Sequence, residues 1–436
     1  MNAQKWHGHA TTRVAVLAGC TALVLSLTGT GAQAGGRDPG REVLGARDGW
    51  AAEGTGTTGG SAADAEHVYT VTTWEEFRAA LADGGPGPRI IRVKGMIDAV
   101  SQGCEAFEAE GYDFQKYLAA YDPAVWGHDT PVSGEQEDLR AASAARQDRA
   151  IKANVPADTT IVGVGRNSGI LGGSLQIKGV DNVIVRNLTI EAPVDCFPQW
   201  DPTDDNGTGA WNSEYDGVVV YGSTHVWIDH NTLTDGRHPD SGLPAYFGKT
   251  YQQHDGLLDV VRGADLVTVS WNSFRDHDKT MLIGNSDSAG ATDTGKLRVT
   301  LHHNRFEGIV ERAPRVRFGQ VDSYNNHFVV TKDQKWGYVY GIGKESRLVA
   351  EHNAFTLAPG ISPAKILKKW SEAPLTAGDN YVNGRPVDLI AVHNAEIPAE
   401  TLQSGAGWTP TLRTRTDHPK AVPGVVGARA GAGRLR

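Results

Sequence analysis

The sequence predicts an all-β fold, a single-stranded right-handed parallel β-helix with long loops and short peripheral helices. The main observation is a short pattern, apolar-x-apolar-x-x-Asn-x-apolar, which recurs along the chain. Clear copies lie at residues 226–233, 267–274 and 299–306, looser ones at 321–328 and 348–355, and a form one residue shorter at 183–188. An alternating apolar pair is typical of a strand, and so short a unit can bury its apolar face only if the copies stack.

The Asn of each copy is expected to interrupt the strand, because Asn tolerates the left-handed backbone conformation and bonds neighbouring backbone groups. Stacking then places Asn above Asn. Consecutive copies lie about 22 to 44 residues apart. The shortest spacing is one bare turn of such a solenoid, so the surplus residues are predicted to form loops on one face, where a solenoid usually keeps its binding site.

The ends of the chain indicate its destination. The chain has 436 residues, of which 39% are hydrophobic, enough to form a large core. Its 53 Gly residues are typical of a β-protein with many turns. Residues 1–34 are predicted to be a signal peptide, because Arg13 precedes an apolar run that ends in the cleavage pattern Ala32-Gln-Ala34. We expect a secreted, extracellular protein whose mature chain, 35–436, forms one domain. The formal net charge of −9 argues against nucleic acid as a partner, and no later segment is apolar enough to cross a membrane.

The first elements precede the repeats. Residues 68–71 are predicted to form a strand and residues 73–81 a short helix with Thr73 at its N-cap. We expect this helix to cover the open end of the core, where strand edges would otherwise be exposed. The first coil is predicted to begin at residues 90–93.

Three excursions are predicted to interrupt the repeats, at residues 101–158, 193–215 and 235–254. The first contains a predicted surface helix with capping-box spacing at Ser133 and Gln136. The tail from about Ser404 is expected to pack back as extended chain. Cys104 and Cys196 are the cysteines left after removal of the signal peptide, which invites a disulfide in an exported protein, although the sequence does not establish their distance.

Three acidic residues, Asp216, Asp255 and Asp259, form the first candidate group. A hard cation such as Ca²⁺ takes several carboxylate oxygens from different chain segments. Stacked coils can supply them, because residues distant in sequence then lie one rung apart, about 4.8 Å. Asp residues near strand ends are also common turn formers, so the spacing alone leaves both interpretations open.

The second candidate group is basic. Lys279 lies beside two Asp residues, where a solvated ion pair is the ordinary alternative. The stretch Arg312-Ala-Pro-Arg315-Val-Arg317 holds three Arg, and in an extended segment Arg315 and Arg317 share a face. It could be a surface stripe, but in an acidic protein such a cluster suggests an anionic ligand. Carboxylates holding a cation opposite these residues would bind a polyanion, whose charge the cation offsets.

Three motifs carry a resemblance to a known family. The stretches Val-Trp-Ile-Asp-His at 226–230, His-Asp-Lys at 277–279 and Arg-Ala-Pro-Arg-Val-Arg at 312–317, in this order on this repeat, resemble the secreted pectate lyases of polysaccharide lyase family 1. The similarity runs from about Asp48 to the tail, and the later excursions resemble those of bacillus-type members. The resemblance implies cleavage of α-1,4-polygalacturonate (pectate) by β-elimination with Ca²⁺ as cofactor, through C5 proton abstraction, C4–O cleavage and an unsaturated product.

The resemblance also implies roles for individual residues. Three match the calcium ligands, namely Asp216, Asp255 and Asp259. Arg312 matches the residue that removes the C5 proton, and Lys279 and Arg317 match those that hold the uronate carboxylate, so these three are the catalytic candidates. Arg315 has no such match, but because it shares a face with Arg317 in an extended segment it is added to Lys279 and Arg317 as a candidate for substrate binding.

Four further residues are interpreted as structural. Asp229 and His230 match a signature regarded as structural in the family. The paired His302 and His303 are interpreted as wall and stacking residues rather than as metal ligands.

The choice of base follows from acidity. The C5 hydrogen lies α to a carboxylate, so its removal creates charge that cations at that carboxylate stabilise by roughly 3–4 kcal/mol for each contact. Arg is a poor base because its pKa lies above about 12. If Arg312 is the base, positive neighbours and Ca²⁺ must lower its pKa, or the enzyme must work in alkaline conditions. Lys279 would be the more conventional base.

Three other functions fit part of the sequence. A pectin lyase would share the fold but accept methyl-esterified substrate without metal, and it should lack the three Asp residues. A pectinolytic hydrolase needs grouped carboxylates for acid catalysis and water activation, and the sequence shows no matching cluster on a strand. A carbohydrate-binding solenoid would need neither Lys279 nor Arg312. We expect a monomer whose partner is polygalacturonate, with neither nucleic acid nor membrane as partner.

Overall fold

The computed structural model describes residues 38–85 and 87–435. The predicted signal peptide, 1–34, lies outside the described residues. The strands are, in chain order, β1 Val68–Val71, β2 Arg89–Val93, β3 Met96–Asp98, β4 Lys152–Asn154, β5 Thr159–Gly163, β6 Gly169–Leu171, β7 Ser174–Lys178, β8 Asp181–Arg186, β9 Thr189–Glu191, β10 Gln199–Asp201, β11 Ala210–Asn212, β12 Val218–Tyr221, β13 Thr224–Asp229, β14 Thr232–Thr234, β15 Ala245–Tyr246, β16 Lys249–Thr250, β17 Leu258–Val261, β18 Asp265–Ser270, β19 Ser273–Lys279, β20 Leu282–Ile283, β21 Val299–His302, β22 Arg305–Glu311, β23 Arg315–Val316, β24 Gln320–Tyr324, β25 His327–Val330, β26 Tyr340–Ile342, β27 Arg347–Glu351, β28 Ala354–Leu357, β29 Leu367–Lys369, β30 Thr376–Gly378, β31 Tyr381–Val382 and β32 Arg385–Pro386.

Successive turns of the chain add one strand to each of three stacked sheets. The first sheet has the order β1-β2-β5-β8-β13-β18-β21-β24-β27-β30, the second β3-β6-β9-β14-β19-β22-β25-β28-β31-β32, and the third β29-β26-β23-β20-β17-β12-β7-β4. The strands in them pair in parallel, except that β31 pairs with β32 in antiparallel orientation. This arrangement confirms the predicted all-β parallel β-helix.

The recurring Asn residues stack into a buried ladder, as predicted. The left-handed backbone conformation predicted at these Asn residues is wrong. The members of the ladder are Asn231, Asn272, Asn304, Asn326, Asn353 and Asn380. Each side-chain amide donates to Oδ1 of the next Asn at 2.9 to 3.2 Å. The left-handed residue is the one before, as at His230 and Trp271 with φ of 51° and 55°. Asn187 of the shorter copy also has positive φ, so it corresponds to His230 and stands outside the ladder.

Aromatic side chains stack inside the core in the same register. Phe274, Phe306, Phe328 and Phe355 lie on four neighbouring strands of the second sheet, with ring centroids 4.7 to 4.9 Å apart. This distance equals the spacing between neighbouring strands. The stacked copies therefore bury one continuous apolar column, as the repeat predicts.

The helices lie around the solenoid. They are α1 Trp74–Ala82, α2 Phe114–Ala120, α3 Pro123–Trp126, α4 Glu135–Ile151, α5 Asp204–Gly207, α6 Gly290–Asp293, α7 Leu389–Glu396 and α8 Val422–Arg429, with 3-10 turns at Pro39–Arg41, Trp50–Ala52, Cys104–Phe107, Asp240–Gly242, Pro363–Ile366 and Pro398–Glu400. As predicted, Thr73 caps α1, accepting from the Glu76 amide at 3.1 Å, and Trp74 and Phe77 are buried against the core. The predicted α4 capping box is wrong, because its N-cap is Gly134 with no side-chain bond. The expected extended tail is also wrong in part, since it contains the helix α8.

The long excursions all leave the solenoid between the second and third sheets, after β3, β9 and β14. The first is shorter than predicted, since β4 already belongs to a coil. Cys104 and Cys196 form a disulfide that joins the first two excursions, with Cα atoms 5.5 Å apart. Aromatic rings from all three, including Tyr117, Trp211 and Tyr251, pack into one buried cluster. The excursions thus form one lobe beside the N-terminal ends of the strands of the third sheet. Within the described part of the chain, no helix has the length and apolarity needed to span a membrane.

Candidate active site

Asp216 and Asp259, two of the three predicted metal ligands, meet on the third sheet, and Asp255 lies near enough for its charge to act on both. Asp259 lies in β17, Asp216 lies just before its neighbour β12, and Asp255 lies just before β17. Asp216 Oδ1 accepts from the Gly256 amide at 2.8 Å. A Cβ atom at Gly256 would lie 2.6 Å from Asp259 Oδ1 and 2.8 Å from Asp216 Oδ1. Two carboxylates therefore close around this glycine, and Asp255 is its chain neighbour.

The carboxylates of this acidic group are desolvated, and their negative charges repel one another. Burial raises the pKa of Asp216 well above its usual range, and the charges of Asp259 and Asp255 add to that rise. Burial and the charge of Asp255 raise the pKa of Asp259 to about 7. Desolvated carboxylates that repel one another are stabilised by a bound cation, so the donor set fits a hard metal ion such as Ca²⁺.

Two of the predicted basic residues face this acidic group from the second sheet. Lys279 ends β19 and pairs in register with Glu311 at the end of β22, which Arg312 follows. Lys279 Nζ lies 3.1 Å from Asp255 Oδ1. Arg312 takes a left-handed conformation, with φ of 61°, and its Nε donates to Glu311 Oε1 at 2.8 Å. Both side chains are about one-fifth exposed, at 21% and 22%, so they are fixed yet accessible.

The surroundings of Arg312 raise its pKa, whereas a base at this position would need a lowered pKa. Burial alone would lower the pKa of Arg312, but Glu311, Tyr338 and Asp259 outweigh it, and the pKa lies above its ordinary value. The side chains around Arg312 therefore do not by themselves supply the positive neighbours that would lower its pKa. Two carboxylates lie among its neighbours, and both would have to be neutralised or moved away before Arg312 could act as a base.

The remaining two arginines lie on the same outer face, as predicted. Val316 between them is buried in the core, so Arg315 and Arg317 both point away from it. Arg317 Nε donates to Asp287 Oδ1 at 2.5 Å and its Nη1 donates to the Gly284 carbonyl at 2.9 Å. Arg315 instead lies over the indole ring of Trp370. Neither residue contacts the acidic group directly.

A cleft of about 530 Å³ adjoins Lys279 and Arg312. Its other lining residues are Asp205, Ala210, Asp278, Val310, Glu311, Lys335, Trp336 and Gly337. Asp205 belongs to the second excursion and Asp278 to β19, so the excursion lobe forms one wall of the cleft. Lys335 and Trp336 were not predicted from the sequence, because they lie between two repeats and belong to no motif.

A second cluster of ionisable residues contacts the backbone of Asp255, and no sequence pattern predicted it. Its members are Asp235, Asp240 and His277, whose potential ligand atoms lie within 4.8 Å of one another. His277 Nδ1–H donates to Asp235 Oδ1 at 2.5 Å and Nε2–H to the Asp255 carbonyl at 2.7 Å. Burial lowers the pKa of His277, but the bond to Asp235 outweighs it, and the raised pKa favours the imidazolium, which donates from both nitrogens and has no lone pair for a metal. The hydrogen-bonded pair of Asp235 and His277 thereby fixes the backbone carbonyl of Asp255, one of the metal-ligand candidates.

The histidines interpreted as structural are buried in stacked positions. His230 Nδ1 lies 2.8 Å from Asp229, which also pairs with Arg186. The His303 ring stacks on Trp271, with centroids 4.2 Å apart, and the His302 ring stacks on Tyr324 at 5.2 Å. These contacts support a wall function, and neither His302 nor His303 adjoins the acidic group.

Comparison with known proteins gives the family. A family model described as pectate lyase matches residues 39–113 and 130–400. A pectate lyase of Bacillus subtilis (strain 168) is 44% identical over 426 residues, covering 95% of this chain and 98% of its own. A solved thermostable pectate lyase superposes with a TM-score of 0.87 at 43% identity, covering 92% of this chain and all of its own. A pectate lyase solved bound to a hexasaccharide superposes with a TM-score of 0.86 at 42% identity, with the same coverage.

Matches of this identity extend over nearly the whole chain, including the strands and excursions that carry the acidic and basic groups. The chain therefore belongs to the pectate lyase family.

Proposed function

We propose that this chain is a Ca²⁺-dependent pectate lyase that cleaves α-1,4-polygalacturonate by β-elimination. The observation that carries the proposal is the meeting of Asp216 and Asp259 around Gly256, within the electrostatic reach of Lys279 and Arg312. A related pectate lyase has been solved bound to a hexasaccharide, which supports an oligosaccharide ligand for this chain too.

Asp216, Asp255 and Asp259 are the residues that would hold the calcium ion. Bound there, Ca²⁺ would supply Lewis-acid stabilisation of the uronate carboxylate as charge develops on it. Support comes from the raised pKa values of Asp216 and Asp259, which report carboxylates in need of a counter-charge.

The basic residues divide the remaining work. Lys279 and Arg317 bind the uronate carboxylate and hold the sugar so that its C5 hydrogen faces Arg312. Their present partners, Asp255 and Asp287, are carboxylates that a uronate can replace. Arg312 acts as the base after the charges of Glu311 and Asp259 have been offset and its guanidinium has given up a proton to solvent. The neutral guanidine then takes the C5 proton, the C–H electron pair forms the C4–C5 double bond as the C4–O bond breaks, and the leaving oxygen takes a proton from water.

The test is ultraviolet absorbance of the unsaturated product on unesterified polygalacturonate. We expect activity that disappears with chelator and returns with Ca²⁺. Activity on fully methyl-esterified pectin that ignores chelator would favour a pectin lyase, and reducing ends without the absorbance would favour a hydrolase. Binding without any product would favour a carbohydrate-binding solenoid.

We further propose that residues 1–34 are a signal peptide and that the secreted enzyme, 35–436, is one domain that acts as a monomer. The disulfide between Cys104 and Cys196 supports export, because such bonds persist in oxidising compartments. N-terminal sequencing of the secreted protein and its mass in solution test these points.

A further inference from the structure

An exposed indole lies on the third sheet beyond the reaction site. Trp370 directly follows β29, and its amide donates to the Ile342 carbonyl at 2.9 Å, which fixes it to the neighbouring strand β26. The residue is nevertheless 46% exposed. A large ring left this open contributes little to the core, and such rings commonly mark binding surfaces.

Arg315 lies flat over this ring. Its guanidinium carbon is 4.1 Å from the centroid of the Trp370 ring, and Lys368 Nζ is 5.7 Å from it. The space for this arrangement comes from Gly341, which pairs with Arg315 across the strands, because a Cβ there would lie 2.9 Å from Arg315 Cγ. The aromatic face thus holds the guanidinium in one orientation, as in other cation–π contacts.

Arg315 lacks an anionic partner. Among the described residues, Arg312 pairs with Glu311 and Arg317 with Asp287, whereas Arg315 makes no side-chain hydrogen bond or salt bridge. Its Nε is buried without an acceptor. This guanidinium is held in one orientation, half-buried and without a carboxylate partner. It can therefore pair with a carboxylate of a bound ligand.

Arg315 and Trp370 lie farther along the third sheet than the acidic group. Asp259 Oδ1 accepts from the Leu282 amide, and Leu282, Arg315, Gly341 and Lys368 then follow one another in register across β20, β23, β26 and β29. Arg315 is therefore two strands from Asp259 and Trp370 about four, or roughly 10 and 19 Å along the solenoid axis. A polyuronate that binds at Asp259 and runs along the axis carries a carboxylate on every sugar past this point.

We propose that Arg315 and Trp370 form a distal subsite for a further uronate of the bound polysaccharide. Arg315 pairs with the carboxylate of that sugar, and the exposed part of the Trp370 ring packs against its pyranose face. The inference rests on the proposed function, and it gives Arg315 a role away from the reacting bond. The subsite favours long chains over short ones, since only a long chain reaches both places.

The test compares chain lengths. KM and kcat are measured for Trp370→Ala and Arg315→Gln on polygalacturonate and on galacturonate oligomers of increasing length. We expect KM to rise about three- to thirtyfold on the polymer, with a smaller rise as the oligomer shortens and with kcat little affected. Trp408→Ala is the matched control, because its indole packs on Trp50 and donates to the Arg347 carbonyl of β27 in the first sheet.

Binding provides a readout that does not need turnover. In the Arg312→Ala background, titration with galacturonate oligomers should quench Trp fluorescence in the presence of Trp370 and lose that signal in Trp370→Phe, while methyl-esterified oligomers of equal length should bind more weakly. Equal KM changes at all lengths, no change on the polymer, or equal binding of esterified oligomers would each overturn the subsite. Absence of lyase activity in the wild-type enzyme would instead refute the proposed function.

Discussion

Replacing Gly256 with alanine should separate calcium binding from folding. This glycine has no positive φ, so alanine can adopt its backbone conformation. The added Cβ would nevertheless lie 2.6 Å from Asp259 Oδ1 and 2.8 Å from Asp216 Oδ1. The substitution therefore acts on two proposed metal ligands while changing neither of them chemically.

The size of the effect follows from these distances. To regain an ordinary contact of 3.4 Å, the two oxygens must move by about 0.6 to 0.8 Å. Metal–ligand distances tolerate only about 0.2 Å. Disturbed support of ligands typically costs about 10- to 100-fold in metal affinity, or about 1.4 to 2.7 kcal/mol. We expect the Ca²⁺ concentration for half-maximal activity to rise by this factor.

The assay is the initial rate of unsaturated product formation as a function of free Ca²⁺. Thermal unfolding in chelator reports on the fold and should change by only a few degrees. Gly242→Ala is the matched control, because a Cβ at that position meets no atom within 4 Å. An unchanged calcium requirement in Gly256→Ala would refute the placement of the metal between Asp216 and Asp259.

The other predictions concern the base, the acid limit of stability and the Asn ladder. Arg312→Lys should lower kcat by about 10²-fold or more, as for loss of a general base, whereas Lys279→Ala should mainly raise KM; comparable kcat losses at unchanged KM would contradict this division. Burial and then the charge of Arg305 lower the pKa of His327 to about 4. Because the unfolded state binds the proton more tightly, this His stabilises the fold above about pH 6.5, and about 3 kcal/mol is lost as the pH falls towards 4. Urea unfolding at pH 7.5 and 4.5 should show a smaller loss in His327→Gln, and an equal loss would argue against the shift. Asn304→Ala removes the side-chain partners of the Asn272 backbone N–H and of the Val269 carbonyl, and should lower the free energy of unfolding by about 2–6 kcal/mol. A loss below about 1 kcal/mol in urea unfolding would contradict a stabilising role for the ladder.

Some features were readable in the sequence because they repeat locally. The apolar alternation around Asn231, Asn272 and Asn304 predicted stacked parallel strands, and the uneven spacing predicted loops on one face. The left-handed conformation was assigned to the wrong residue, because it belongs to the residue just before each Asn of the repeat, namely His230, Trp271, His303, Asn325 and His352. Four of these five are His or Asn, types enriched in the left-handed region, so the sequence did carry a signal at this position.

The catalytic and metal candidates came from motifs and a family resemblance, and the spacing of Asp216, Asp255 and Asp259 alone did not distinguish a metal site from turn residues. The meeting of Asp216 and Asp259 around Gly256 depends on the pairing of β12 with β17, which the sequence does not show.

Local chemistry thus predicted the strand period, the capping of α1 by Thr73 and the parallel solenoid, because these depend on residues a few positions apart. The tertiary structure decided the disulfide between Cys104 and Cys196, the hold of His277 on Asp255 and the stacking of Arg315 on Trp370. Each of these contacts joins residues separated by tens of positions. Such contacts depend on how many residues each coil inserts before the next strand returns to register, and this becomes visible only when the strands are paired.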